Sequence, residues 1–248
     1  MKTKIFLIIG SVLGGFLGAW LYFQLGLPGM LFKDEFTYMI PPLNEKNQIE
    51  PSQKIEDTVI FDFWQKTIFD ASVNTVAVQT FYKAKIIRSG NGNFVSSDGL
   101  VVTSYDAAPP GPYLYQVLYD DKIFRAHVVK HDYIKNISLL KIEAENLPIT
   151  RFHDATSLQS GKDLIITGKF VNISQLTVFS QRALINYVTE NMTILDTNFN
   201  VFLSGAQVIT ADSLRIGFVS LRGGKISLVS ASDINEFLDQ YLSLQKGL

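Results

Sequence analysis

From about Val73 to Ser230 the chain is a succession of short apolar runs, each broken within a few residues by Gly, Pro, Asn or Asp. Thr75–Tyr82, Leu114–Leu118, Lys122–Val129, Asp163–Gly168, Leu176–Tyr187, Ala206–Thr210 and Leu214–Leu221 are such runs, and no stretch of helical periodicity separates them. Strands with no helices to cover them bury an apolar face only by closing on themselves or by packing on a second sheet. The pattern therefore predicts an all-β fold, a barrel or a sandwich. Helical spacing is confined to the flanks. Ile60, Phe63, Trp64, Thr67 and Ile68 predict a short amphipathic helix leading into the first strand. Asp233-Ile234-Asn235-Glu236 reads as a second helix start, with Ile234, Phe237, Leu238, Tyr241 and Leu242 on one face docking that helix onto the sheet.

The N-terminus reads differently. Ile5 to Leu27 is apolar and free of charge. At about 1.5 Å per residue it is long enough to cross a hydrocarbon core of about 30 Å. Lys2 and Lys4 precede it, which orients the N-terminus to the cytoplasm and the rest outside. Nothing after Gly18-Ala19 offers a good cleavage site, so an uncleaved anchor over residues 1–32 is expected rather than a signal peptide. Gly10, Gly14 and Gly18 could give that helix a close-packing face for another helix, which would make an oligomer. Residues 33–56, with Pro41-Pro42, Pro51 and many polar side chains, form a juxtamembrane linker, and 57–248 is the folded domain.

Composition excludes several functions. A net charge of −1 leaves no basic surface for nucleic acid, and the chain has no cysteine for disulfides or thiolate metal sites. His127 and His131 lie near Asp132 but lack a third or fourth ligand, so neither a metal nor a cofactor is expected.

Six motifs occur in one order. Gly90-Asn91-Gly92 through Ser97-Asp98-Gly99-Leu100-Val101-Val102-Thr103 is similar to GSGxxxxxDGxIxT, and Val128-Val129 through Lys135-Asn136-Ile137-Ser138-Leu139-Leu140-Lys141-Ile142 to VVxxDxxxDLALLKI. Asn146-Leu147-Pro148 with Phe152-His153-Asp154 resembles NLPxxxLGD, and Gly161-Lys162-Asp163 through Gly168-Lys169-Phe170 resembles GDWVxAIGNPF. Ser204-Gly205 and then Gly217 stand where a nucleophile motif GNSGGPL and the glycine of EVIGI would fall. Together these resemble the HtrA (DegP-like) branch of the trypsin-fold serine proteases, over roughly Val73 to Ser230. The resemblance implies two six-stranded barrels, about 73–145 and about 146–230, with a cleft between them. With only a few residues after the last helix, the PDZ module that such proteases append is not expected.

The resemblance also implies a triad, and here it is rewritten. Asp106 stands where the family has its general-base histidine, Asn136 replaces the orienting aspartate, and Ser204 remains. A serine hydroxyl is a poor nucleophile without a base hydrogen-bonded to it. An aspartate is a far weaker proton acceptor than an imidazole near neutrality. Phe202 occupies the position of the glycine whose N–H faces the developing oxyanion. Asp106, Asn136 and Ser204 are thus vestigial triad positions, and the expected function is a membrane-tethered pseudoprotease. Its inter-barrel cleft would hold a protein or an extended peptide by strand addition. The alternatives are a residual serine hydrolase using Ser204 and a structural subunit of a larger membrane complex.

Overall fold

The computed structural model describes residues 64–155, 158–172, 175–190 and 192–246, so the span Ile5 to Leu27 and the linker 33–56 lie outside the described residues. Among the described residues no helix is long and apolar enough to cross a membrane. The described chain opens with a helix over 64–73 (α1). Twelve strands follow, in two antiparallel barrels that each close on themselves.

The first barrel comprises β1 (Thr75–Tyr82), β2 (Lys85–Phe94), β3 (Leu100–Ser104), β4 (Leu114–Tyr119), β5 (Lys122–Asp132) and β6 (Ile137–Ile142), ordered β1-β2-β3-β6-β5-β4. The second comprises β7 (Asp163–Asn172), β8 (Gln175–Thr189), β9 (Met192–Asp196), β10 (Gln207–Thr210), β11 (Arg215–Ser220) and β12 (Ser227–Ser230), ordered β10-β11-β12-β9-β8-β7. Short strands with alternating burial make this closure natural. In β3, for example, Val101 faces its own barrel interior while Leu100 and Val102 face the other barrel.

Three cores result. Val76, Val78, Phe94, Val101 and Leu140 fill the first barrel, and Leu164, Ile166, Ile185, Leu203 and Val208 fill the second. The third lies between the barrels, where Leu100, Val102, Ile137 and Leu139 meet Phe218 and Val229 under a terminal helix, α2 (Ala231–Lys246). Ile234 and Phe237 of that helix are fully buried in this seam, whereas Leu242, assigned to the same face from its spacing, is 47% exposed because the helix has run past the barrels. The helix also starts earlier than Asp233. Ser230 is its cap, accepting from the Asp233 N–H at 3.2 Å and donating to Asp233 Oδ2 at 2.7 Å.

Two strands run beyond one of their neighbours in the closed barrels. β2 pairs with β1 along its whole length, but with β3 only from Gly92 to Phe94. From Lys85 to Ser89, β2 therefore has no strand paired on its second edge. Likewise β8 pairs with β7 from Gln175 to Leu184 but meets β9 only from Leu184 onward.

Candidate functional site

Ser204 follows a 3-10 turn, Val201–Leu203, that opens β10. Asn200 begins the turn in extended conformation, and its side-chain Oδ1 accepts from the Phe202 N–H at 3.0 Å. This N–H occupies the oxyanion-donor position that the resemblance implies, so the donor is already engaged. Phe202 itself stacks on Phe170 of β7, with ring centroids 5.0 Å apart and planes at 24°.

The turn is held by the opposite barrel through Asn91, which is fully buried on β2. The Asn91 amide donates to the Phe202 carbonyl at 2.5 Å, its Oδ1 accepts from the Lys169 N–H at 2.5 Å, and its backbone N–H donates to the Ser204 carbonyl at 2.7 Å. Two residues on, the Asn93 amide donates to the Gly205 carbonyl at 3.2 Å. Gly205 has φ +76, and an ideal Cβ there would collide with the Asn91 carbonyl, so only glycine fits. Next to it, Gln207 donates to Thr75 Oγ1 at 3.0 Å, joining β10 to the start of β1.

The three triad positions come together, but not as a relay. Asn136, buried and with φ 57, donates from its side-chain amide to Asp106 Oδ2 at 2.8 Å and to Ser220 Oγ at 2.6 Å, while its Oδ1 accepts from the Asp106 N–H at 3.2 Å. Asparagine tolerates this left-handed backbone, which explains the local turn. Ser204 Oγ is bonded to Ser104 Oγ at 2.6 Å, in a pair where either hydroxyl can donate. Ser104 is itself fully buried, and its Oγ also accepts from the Ala107 N–H at 3.2 Å. The serine hydroxyl thus has a neutral alcohol as its partner, and an alcohol is not a general base.

Around Ser204 and Asp106 lies a cleft of 540 Å³, walled by Ile86, Ile87, Phe199, Val201, Phe202 and Leu221. Ile86, Phe199 and Val201 are each more than half exposed. The open half of β2 runs along this cleft, with Ile86, Ile87, Arg88 and Ser89 all lining it. Such an arrangement can pair with an extended backbone and pack its apolar side chains. Among the described residues no cluster of three or more His, Asp or Glu could hold a metal ion, and His127 and His131 both lie exposed on β5.

Ser104, Asn91 and Asn200 are site residues that the motif reading passed over. Strand alternation was the signal for the first two. Ser104 shares a face of β3 with Leu100 and Val102, both in the inter-barrel seam, and Asn91 and Asn93 alternate on β2 to meet the same loop.

No protein-family model matches the chain. Among curated proteins it is 21% identical over 228 residues to the serine endoprotease DegS of Haemophilus influenzae, across 86% of this chain and 66% of that protein. It is 27% identical over 149 residues to a probable periplasmic DegP-like serine endoprotease of Chlamydia muridarum, across 56% of this chain and 30% of the relative. The chain thus spans less than two thirds of the length of these relatives. Of solved structures, Deg5 superposes with a TM-score of 0.62 at 13% identity, covering 71% of this chain and 92% of Deg5. The serine endoprotease from Yersinia pestis superposes with a TM-score of 0.60 at 18% identity, covering 71% and 65%. Sequence likeness, motif order and two closed six-stranded barrels agree, and the chain carries the trypsin double barrel in its HtrA-like form.

Proposed function

We propose that the protein is a membrane-anchored, extracytoplasmic pseudoprotease, a trypsin-fold domain that binds an extended apolar peptide segment and does not hydrolyse it. One observation carries the reading. The Ser204 hydroxyl is spent on the Ser104 hydroxyl at 2.6 Å, and the Asp106 carboxylate is tied to Asn136 at 2.8 Å. With no base on the serine and the Phe202 N–H engaged by Asn200, the two largest contributions to acyl transfer are missing. What remains is the cleft, with an open strand edge on one side and exposed apolar walls on the other. Peptide would enter as an added strand along Ile86–Ser89, its alternate side chains packing on Phe199 and Val201.

Anchoring is supported by the charge-free stretch Ile5 to Leu27 behind Lys2 and Lys4. The DegP-like relatives are described as periplasmic, which agrees with a domain outside the cytoplasmic membrane. Intact mass of the membrane-extracted protein tests the anchor, since a mature chain beginning after Ala19 would mean cleavage.

A residual serine hydrolase is the competing reading, favoured by Asp106 and Ser204 lining one cleft. Labelling with a fluorophosphonate probe separates the two. The purified protein should stay unlabelled and leave unfolded casein uncut. Labelling that disappears in Ser204→Ala would sink the pseudoprotease.

A further inference from the structure

A second cleft lies away from Ser204 and shares no lining residue with the first. It has a volume of 820 Å³ and is bounded by the end of α1, the β4–β5 turn and the β7–β8 hairpin. Among its lining residues one charged side chain is buried. Lys169 of β7 is 7% exposed, while Asp120, Asp121 and Lys122 all sit on the exposed turn.

The Lys169 ammonium lies 5.1 Å from the centre of the Tyr119 ring and has no hydrogen-bond acceptor or ion pair among the described residues. Burial pushes this amine below its usual range, and the Asp120 charge offsets that only in part. The ring quadrupole stabilises an ammonium less than a carboxylate oxygen would, so an anion reaching Lys169 from the cleft would add to what Tyr119 supplies. Lys169 therefore brings to the cleft wall an ammonium with which an entering anionic group could pair.

Its surroundings restrict which anion. The rim carries two aspartates against one lysine, which disfavours a multiply charged group such as a phosphate. The walls include Phe69, Ile123 and Val178, which are 68%, 64% and 44% exposed and would be covered by an apolar body. We propose that the cleft over Lys169 binds a single carboxylate carried on an apolar body, at a site separate from the Ser204 cleft. That carboxylate could belong to an aliphatic acid or to the terminus of an apolar peptide, and the two share one chemistry at the ammonium.

The test is calorimetric titration of the full chain in lipid nanodiscs, with empty nanodiscs subtracted. Octanoate is compared with octanol, and an apolar tetrapeptide with a free C-terminus with its amide. At least one carboxylate should bind ten-fold or more tightly than its neutral counterpart, and which pair shows the preference identifies the source. Lys169→Met should abolish the preference and Lys169→Arg should keep it. Equal affinity of charged and neutral ligands in both pairs for the unmodified chain overturns the proposal, whatever the variants do. So does a preference that survives in folded Lys169→Met.

Discussion

Two polar networks meet at the loop Val201–Ser204, and they do different work. Around Asn91 every side-chain bond crosses between barrels and ends on backbone, at the Phe202 carbonyl and the Lys169 N–H. Around Ser204 the side chains bond mainly to one another, Ser104 to Ser204 and Asp106 to Asn136 to Ser220. The first kind positions a loop whatever the loop does. The second kind is where chemistry would reside, and it has closed on itself. The place of the serine is thus set by residues outside the triad positions, whatever the hydroxyl itself does.

Breaking the first network should cost most. Asn91→Ala leaves the Phe202 carbonyl and the Lys169 N–H without their partner in a buried seam, and each buried unpaired group costs about 1–3 kcal/mol. Urea unfolding should show a loss of about 3 kcal/mol with the slope unchanged, and a loss under about 1 kcal/mol would mean the barrels do not depend on this residue.

Ser104→Ala removes the partner of Ser204 and should cost about 1 kcal/mol, with the serine still unlabelled by a fluorophosphonate. New labelling in that variant would show that the Ser104 hydroxyl alone was holding the nucleophile back.

The smallest effect belongs to a surface pair outside both networks. Hydrogen bonds from Ser96 and then from Lys141 hold the Asp98 carboxyl below its usual range. A depressed carboxylate stabilises the fold above its unfolded pKa of about 3.9, and that contribution is lost as pH falls through the lower folded value. Because the Asp98 side chain is 66% exposed, solvent screens the pair and Asp98→Asn should cost under about 1 kcal/mol at neutral pH. The difference from the parent should shrink in thermal melts below about pH 4, and a constant difference would deny the pair any role.

Much of the fold was legible because strand signals are local. Thr75–Tyr82 is a strand with those bounds, and other runs end within a few residues of the observed strands. The runs that fell shortest were Asp163–Gly168 and Lys122–Val129, which extend to Asn172 and Asp132. Lys169 and Asn172 in the outer end of β7 and Lys130, His131 and Asp132 in that of β5 are polar, yet β8 and β6 pair with these ends all the same. Two barrels rather than a sandwich came from the motif resemblance, since alternation alone does not distinguish them. At the site, the three triad positions could be read from motif order. Their bonds could not, because the partner of Ser204 is 100 residues away and is selected by how the barrels pack.

Gly205 bears on what can be learned from the serine that precedes it. Its left-handed backbone abuts the Asn91 carbonyl of the other barrel, so almost any replacement would fail at folding before function was sampled. Asn136 is constrained more mildly, since its left-handed backbone suits asparagine and its amide is bonded to Asp106 and Ser220. The glycine after the serine is therefore held in the sequence by packing alone, and its presence carries no information on whether Ser204 reacts.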